Sequence, residues 1–366
     1  MSAPIPVATG TQWTADDRSA MERALALALE GVRGANPLVG AVVVGPDGAV
    51  LASGRHRGAG TPHAEADAIS AALRDGVDLA GSTMYVTLEP CNHTGRTGPC
   101  ARAIIGAGVS RVVYAIEDPH DIASGGARTL VDAGILVERG LLAEEAAELN
   151  RRWLDAVAAR RPFVTLHIAQ TLDSRIAAED GTSQWITCAE SLRDNHATRT
   201  RIDAILVGSR TVAIDNPRLT ARAEDGSLLG HQPLRVVMGL GDVPADAAVR
   251  GTDGRFLQVR DRDPRAVLAE LFDAGVRHAM VEGGSRIIAA FLGAGLVDEL
   301  IVYQAPTILG AGNSAVADLG IRTLADAQQW SWDEAHGGAV RRLGQDVRLH
   351  LMPAAPAAQN SSKETH

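Results

Sequence analysis

A helix-forming run over residues 143–159 stops against Arg160-Arg161-Pro162, and this stop constrains the fold more than any other feature. Pro162 has no N–H to continue a helical ladder, and its ring biases Arg161 toward extended backbone. The chain has 366 residues, more than the roughly 100–200 of an ordinary domain. The expected division is therefore a domain over 14–160, a second over 161–352, and a tail over 353–366. That tail, of Ala, Pro, Ser and polar residues, cannot bury enough surface to order itself.

Strand and helix patterns alternate on both sides of the stop. Residues 15–30 are rich in Ala and Leu and predict a helix. Runs at 40–44 and 49–53 flank Pro46-Asp47-Gly48, strong turn chemistry, and predict a hairpin. Thr61-Pro62 predicts a helix start with Pro in the first turn. Strands are expected at 84–88 and 112–116, with a helix at 101–107 between them. This alternation predicts a mostly parallel sheet covered by helices. Beyond Pro162, strands are expected at 163–169, 204–207, 234–237, 256–259, 279–282 and 299–304, and helices at 264–274 and 286–294.

A formal net charge of -9 argues against a general nucleic-acid binder, which needs a basic surface to displace counterions. Aromatic residues are only 3%, too few for a base-stacking platform. The first ten residues carry no basic, apolar leader pattern, and no apolar stretch is long enough to span a membrane. Three cysteines, Cys91, Cys100 and Cys188, do not make a disulfide framework. The expectation is a cytoplasmic protein with a small-molecule partner, no nucleic acid and no membrane.

The chemistry concentrates in His63-Ala64-Glu65, followed by Pro90-Cys91 and Cys100. An imidazole and two thiolates are good zinc ligands, and three protein ligands leave a fourth position for water, the pattern of a catalytic site. Glu65 stands two residues from His63 and can exchange protons with that water without binding the metal. The order His-x-Glu then Pro-Cys is that of zinc deaminases. Here the cysteines stand nine apart, joined by a polar, Gly-rich loop. Cys100 opens a helix, where the dipole favours thiolate. A structural zinc site would need a further ligand, for which His93 is available.

These residues, with Asn36-Pro37-Leu38-Val39-Gly40, His56, the run from Thr87 to Cys100, Gln184-Trp185-Ile186-Thr187, the run from Asp215 to Arg222 and Val281-Glu282-Gly283-Gly284, resemble the bifunctional deaminase–reductase family of riboflavin biosynthesis. The resemblance covers about residues 14–352. It implies a cytidine-deaminase-like three-layer α/β/α domain followed by a dihydrofolate-reductase-like α/β domain. It also implies Zn2+ in the first and NADPH in the second, and a homo-oligomer, dimer or tetramer, through the reductase domain. The implied substrate is a diamino-ribosylamino-pyrimidinone 5′-phosphate, deaminated and then reduced from ribosyl to ribityl. Asn36, His56, His93 and Arg96 would contact its base or phosphate. Asp118-Pro119-His120-Asp121 resembles a family loop in which Asn often follows the Pro.

The second half has no Gly-x-Gly-x-x-Gly fingerprint. Instead Glu282-Gly283-Gly284-Ser285 ends a strand and opens a helix, where backbone N–H groups of Gly283 and Gly284 can cradle cofactor phosphates. The resemblance assigns Ala169, Trp185, Thr211 and Asp215 to NADPH, and Ser183, Arg199, Leu219, Arg222 and Glu282 to substrate. Two positions depart from the family. His167 stands on the substrate side where Lys is usual, and Asp173-Ser174-Arg175 stands where the family has Asp-Gly-Arg or Asp-Gly-Lys. Glycine accepts positive φ freely and serine only at a cost. Two main readings stay open here: a bifunctional enzyme, and an active deaminase with a weakened or non-catalytic reductase half. A nucleic-acid base editor fits the charge poorly, and a non-enzymatic zinc protein leaves Glu65 unexplained.

Overall fold

The computed structural model describes residues 12–32, 34–58, 60–92, 98–119, 125–334 and 338–354. The chain splits into two compact units, Met1–Arg160 and Arg161–His366.

In the first unit, α1 (Ala15–Leu29) begins at Thr14, whose hydroxyl accepts from the Asp17 N–H while the Asp17 carboxylate accepts from the Thr14 N–H. This reciprocal cap satisfies N–H groups that a helix start leaves open. The hairpin forms as expected, from β1 (Gly40–Val44) and β2 (Val50–Arg55). Then come α2 (Ala64–Asp75), β3 (Thr83–Leu88), α3 (Cys100–Gly106) and β4 (Arg111–Ile116). The unit closes with α4 (Gly126–Asp132), β5 (Leu136–Arg139) and α5 (Ala143–Ala159). Neither α4 nor β5 was anticipated.

The strand order is β2-β1-β3-β4-β5. β1 runs antiparallel to both neighbours, whereas β3, β4 and β5 are mutually parallel. The sheet is thus mixed, not mostly parallel: the hairpin folds β1 back between β2 and β3. Alternate residues cover opposite faces. Val43, Met84, Val86 and Tyr114 pack with residues of α2, α3 and α4; Val42, Tyr85 and Val113 pack with α1 and α5. Two covered faces make three layers. Packing is close enough that a Cβ on Gly54 would lie 2.3 Å from the Ala64 carbonyl oxygen.

The second unit contains β6 (Phe163–Thr171), β7 (Arg175–Ala177), α6 (Ala189–Arg199), β8 (Ala204–Gly208) and α7 (Ser209–Asp215). β9 (Leu234–Met238), β10 (Phe256–Val259), α8 (Pro264–Asp273), β11 (His278–Glu282) and α9 (Ser285–Gly293) continue it. The last strands are β12 (Glu299–Ala305), β13 (Asn313–Ser314), β14 (Trp330–Trp332), β15 (Val340–Leu343) and β16 (Asp346–Pro353). The main sheet runs β10-β9-β8-β11-β6-β12-β16-β14, with β15 also on β16. It is parallel from β10 to β12, and β16 is antiparallel to its neighbours. Its core is aliphatic, with Val164, Leu166, Leu206, Val236 and Val281 packed against Val267, Leu271, Ile288 and Phe291 of α8 and α9. Pro353 lies in β16, so the expected tail boundary was too early; residues 355–366 lie outside the described residues. Among the described residues no helix is long and apolar enough to cross a membrane.

Candidate active sites

The first site forms where α2, the end of β3 and α3 meet. His63 is the N-cap of α2, in extended conformation at φ -69 and ψ 161. The helix therefore starts at Ala64, later than Thr61-Pro62 implied; Pro62 holds the approach and is not the first turn. The extended cap frees the imidazole to leave the helix axis. Its Nδ1 lies 3.5 Å from Cys91 Sγ and 3.5 Å from Cys100 Sγ. All three ligand atoms lie within 4.8 Å of one another. A tetrahedral zinc ion at ordinary bond lengths needs such donors roughly 3.5–3.8 Å apart, so the set fits the ion.

Local structure holds each sulfur. The Cys100 N–H donates to Cys91 Sγ at 3.4 Å, and the Ala101 N–H to the Cys91 carbonyl at 3.2 Å. Glu89 accepts from the N–H groups of Gly125 and Ala127 at 3.2 and 3.1 Å, docking the start of α4 under the Pro90-Cys91 turn. A Cβ on Gly126 would stand 1.7 Å from the Pro90 carbonyl oxygen, so only glycine fits.

The Cys91 thiol is lowered to about 4, first by a hydrogen bond with Cys100 and then by His63. Cys100 is raised, chiefly by the same bond. A coordinated cation reverses the second direction, because a ligating thiol loses its proton outright. Glu65 is 3% exposed in the first turn of α2. Burial pushes its carboxyl up to about 7.

Asn36 and His56 lie beside this centre. Asn36 Nδ2 meets His56 Nε2 at 3.0 Å, and His56 Nδ1 meets the Pro62 carbonyl at 3.0 Å. An amide nitrogen only donates and a carbonyl only accepts. His56 is therefore neutral with its proton on Nδ1, in line with the lowering that burial imposes. That contact turns the Asn36 carbonyl oxygen away from His56. His93, Arg96 and His120 lie outside the described residues.

Sequence reasoning missed the clamp on this loop. Asn150 of α5, 2% exposed, accepts from the Leu38 N–H at 2.8 Å and donates to the Leu38 carbonyl at 2.9 Å. Trp153 Nε1 donates to the Ala35 carbonyl at 3.1 Å. The signal was a lone Asn on the buried stripe Ala146, Asn150, Trp153, Ala156.

The second site is a cavity of about 1140 Å³ along the C-terminal ends of the parallel strands of the second unit. Its wall includes His167, Ala169, Ser183, Trp185, Arg199, Thr211, Asp215, Leu219, Arg222, Glu282, Gly283 and Gly284. One cavity thus gathers His167 and every residue assigned to NADPH or substrate in this half, while Ser174 is not in its wall. Trp185 is 66% exposed, its ring open to the cavity and not part of the core. A Cβ on Gly283 would lie 2.7 Å from Ile287 Cβ, which fixes glycine at the entry to α9. Leu219 holds φ 53 and Ser174 φ 59, left-handed conformations costing roughly 1–2 kcal/mol each for side chains of this kind. Cys188 is no part of the cavity wall; it caps α6, with its N–H on Asp346 at 2.7 Å and its Sγ on the Leu343 carbonyl at 3.1 Å.

Glu282 is the electrostatic centre. Arg199 donates to it at 2.7 and 3.3 Å, Asn195 Nδ2 donates at 3.1 Å, and His167 Nδ1 lies 4.0 Å away. Burial alone would raise its pKa, but Arg199 and His167 hold the carboxyl at about 2. Burial lowers His167, so its ring is neutral at pH 7. Neither Asn195 nor Tyr303, whose hydroxyl donates to Asp194 at 2.6 Å, was anticipated. The missed signal was the buried polar row Ser191, Asn195, Arg199 on α6, at helical spacing.

Two family models match in tandem. Residues 14–116 match the cytidine and deoxycytidylate deaminase zinc-binding region, and residues 162–337 match the RibD C-terminal domain. The riboflavin biosynthesis protein RibD of Mycobacterium tuberculosis is 42% identical over 339 residues, 91% of this chain and 97% of that protein. RibD of Escherichia coli K12 is 37% identical, over 92% of this chain and 100% of its own length. Among solved structures, Acinetobacter baumannii RibD superposes with a TM-score of 0.82 at 34% identity, covering 93% of this chain and 99% of that one. A Thermotoga maritima structure titled diaminohydroxyphosphoribosylaminopyrimidine deaminase/5-amino-6-(5-phosphoribosylamino)uracil reductase gives 0.77 at 32%, covering 92% and 98%. With both sites built and this likeness running through both halves, the chain belongs to the RibD family of riboflavin biosynthesis proteins.

Proposed function

We infer that this chain carries out two successive steps of riboflavin biosynthesis, zinc-dependent deamination of a pyrimidinone ribosylamine phosphate and NADPH-dependent reduction of its ribosyl group. The observation that carries the reading is the presence, in one chain, of a thiolate–imidazole cluster with a buried carboxyl and a separate cavity organised around Glu282. Residues 14–160 form the deaminase and 161–352 the reductase. A weakened reductase half is not favoured, because the RibD relatives match through both halves and the cavity assembles the full set of expected residues.

In the deaminase, His63, Cys91 and Cys100 would hold zinc, with Glu65 as the catalytic group. Zinc, when bound, supplies an activated water at neutral pH. Glu65, buried in the first turn of α2, can take a proton on one carboxylate oxygen and release it to the departing amine nitrogen. The Asn36 carbonyl oxygen, turned from His56, can accept from a pyrimidine N–H, while His56 keeps Asn36 oriented. His93 and Arg96 complete the phosphate and base contacts.

In the reductase, NADPH supplies a hydride. Gly283 and Gly284 hold its phosphates at the start of α9, with Ala169, Trp185, Thr211 and Asp215 along its length. His167, Ser183, Arg199, Leu219, Arg222 and Glu282 bind the substrate. Arg199 and Arg222 are the natural phosphate partners, with Arg199 also paired to Glu282. We assign the protein to the cytoplasm as a homo-oligomer through the reductase unit, acting on a small molecule and on neither nucleic acid nor membrane.

A coupled assay with the pyrimidinone phosphate, reading ammonia release and NADPH loss separately, tests both activities. One zinc per chain is expected; Cys91→Ser should lose it and Cys188→Ser should keep it. Equal loss in both variants would refute the ligand set, and ammonia without NADPH loss would refute the reductase.

A further inference from the structure

The two ends of the reductase cavity differ in kind, and strand register sets the distance between them. Glu282 pairs with His167, Val281 with Leu206, Gly208 with Met238 and Met238 with Val259. The ends of β6, β11, β8, β9 and β10 therefore reach one level, in that order across the sheet. At about 4.8 Å between neighbouring strands, β6 and β10 stand about 19 Å apart. His167 lies on β6 and Glu282 on β11, so the substrate and the nicotinamide that reduces it belong at the β6 end. With the cofactor's phosphates at Gly283 and Gly284, its adenosine half runs over β8 and β9 toward β10.

Arg210, Leu240 and Arg262 line that far end of the cavity, just past the ends of β8, β9 and β10. The three loops touch. A Cβ on Gly239 would lie 2.9 Å from Ser209 Oγ, and the Gly239 N–H donates to the Val259 carbonyl at 3.1 Å. Both arginines are exposed, and neither has an acidic partner among the described residues. The charges around Arg262 are already engaged. Arg260 pairs with Asp242, Asp261 accepts from the Asp263 N–H, and Asp263 caps α8. None of these four is in the cavity wall. Leu240, 54% exposed, puts apolar surface on the loop between the two cations. In a chain of net charge -9, two unpaired guanidinium groups flanking an apolar wall suit a flat base that carries an anion.

We propose that Arg210 and Arg262 clasp the 2′-phosphate of the cofactor's adenosine ribose, with Leu240 against the adenine, so that these two arginines set the preference for NADPH over NADH. This rests on the reading of the cavity as the reductase site. The 2′-phosphate is the one group by which the two cofactors differ, and a guanidinium matches a phosphate with paired N–H donors. The substrate's own phosphate has its partners at the other end. Arg199 is held by Glu282, and the Arg222 N–H donates to His196 Nδ1 of α6 at 3.3 Å.

The test uses the full-length enzyme. NADPH and NADH affinities are measured by fluorescence titration, and adenosine 2′,5′-bisphosphate and adenosine 5′-monophosphate by calorimetry. Substrate KM, deaminase rate and thermal unfolding are read on the same samples. Arg210→Ala and Arg262→Ala should each weaken NADPH about tenfold or more, the loss of a hydrogen bond between charged groups, and leave NADH within about threefold. The bisphosphate should weaken in step with NADPH while the monophosphate does not move. Arg262→Lys should recover part of the affinity, since an ammonium keeps the charge without the fork. Equal weakening of NADPH and NADH would put the arginines on the part that the cofactors share, and would overturn the proposal. So would unchanged NADPH affinity in the variant carrying both alanines, or a parent that binds NADPH and NADH equally. A raised substrate KM with cofactor binding intact would give the arginines to the substrate's phosphate and overturn it too. A parent that binds neither cofactor would overturn the reading of the cavity itself.

Discussion

The two sites are built on opposite plans. The zinc centre is small, and its ligands come from positions that backbone geometry already marks: an N-cap, a strand end and the first residue of a helix. The reductase cavity is wide, and its wall is drawn from β6, α6, α7, the loop after it, β11 and α9. The first plan concentrates function in a few atoms whose spacing is strict. The second spreads it over weak contacts, each replaceable. The contrast teaches where substitutions should be tolerated: rarely at His63, Glu65, Cys91 or Cys100, and more readily along the cavity, where His167 lines the wall at a position that the family resemblance gives to lysine.

The sharpest test of that contrast is Glu65→Gln. Gln keeps the shape but moves no proton, so deamination should fall about 10²–10⁴-fold with zinc content and NADPH oxidation unchanged. A zinc-loaded variant with full deaminase activity would abolish the distinction.

His167→Lys probes the tolerant side. Burial keeps the ring neutral at pH 7, whereas lysine would bring an ammonium next to Glu282. The parent reductase is read as unimpaired, so the rate should change by less than about tenfold, short of the roughly 1.5–3 kcal/mol of a newly gained charged hydrogen bond. The parent's own rate should stay flat above about pH 7, where a neutral ring has no proton left to lose. A parent profile that falls between neutral and alkaline pH, or a markedly slower lysine variant, would show that the imidazole is doing something lysine cannot.

Mild acid should separate the units next. Burial lowers both His167 and His196, the latter from 6.5 to about 4. Unfolded histidine binds its proton near 6.5 while these folded rings do not, so the unfolded state holds more protons below that pH. Stability of the reductase unit is therefore full above about 6.5 and declines as pH falls toward 4. In the first unit Asp17 is held far below its ordinary value. Burial opposes this, but the hydrogen bonds from Tyr85, Arg111 and Thr14 outweigh it. Its contribution is full above about pH 4 and is lost progressively as the pH falls below that. Hydrogen exchange followed from pH 7 to 5 should show protection lost first in the second unit, and His196→Gln should reduce that loss. Simultaneous loss in both units would contradict the assignment.

The smallest effect is expected from Ser174→Gly. At φ 59 the serine Cβ is strained, and glycine removes that strain while adding freedom to the unfolded chain. A net gain of about 1 kcal/mol or less is expected in denaturant melts of the second unit. A loss would mean that the Ser174 side chain holds the turn.

Legibility followed the same division. His63, Glu65, Cys91 and Cys100 could be read from residue type and spacing, because metal chemistry restricts both. The cavity residues were reached through the family resemblance, since Ala169 or Leu219 carries no chemical signature. β16 was unread for a physical reason. Its buried positions are Asp346, Arg348 and His350, while Val347 faces out, so hydrophobic alternation gives the wrong face. Each pairs with a group distant in sequence, Asp346 with Ser191, Arg348 with Asp194 and His350 with Glu299. Asn195 and Asn150 escaped likewise, since a buried amide declares its purpose only once its partner is known.

The Asn150 clamp has a consequence for anyone dividing this gene. α5 reads as a connector, the last helix before the junction, and an economical cut would fall soon after β5. Such a cut would remove the residues that grip Leu38 and Ala35, although they are more than a hundred positions away along the chain. The fragment would keep all three cluster ligands and Glu65, yet the segment bearing Asn36 would lose its anchor. A minimal deaminase gene therefore has to run through Ala159, where the helix ends.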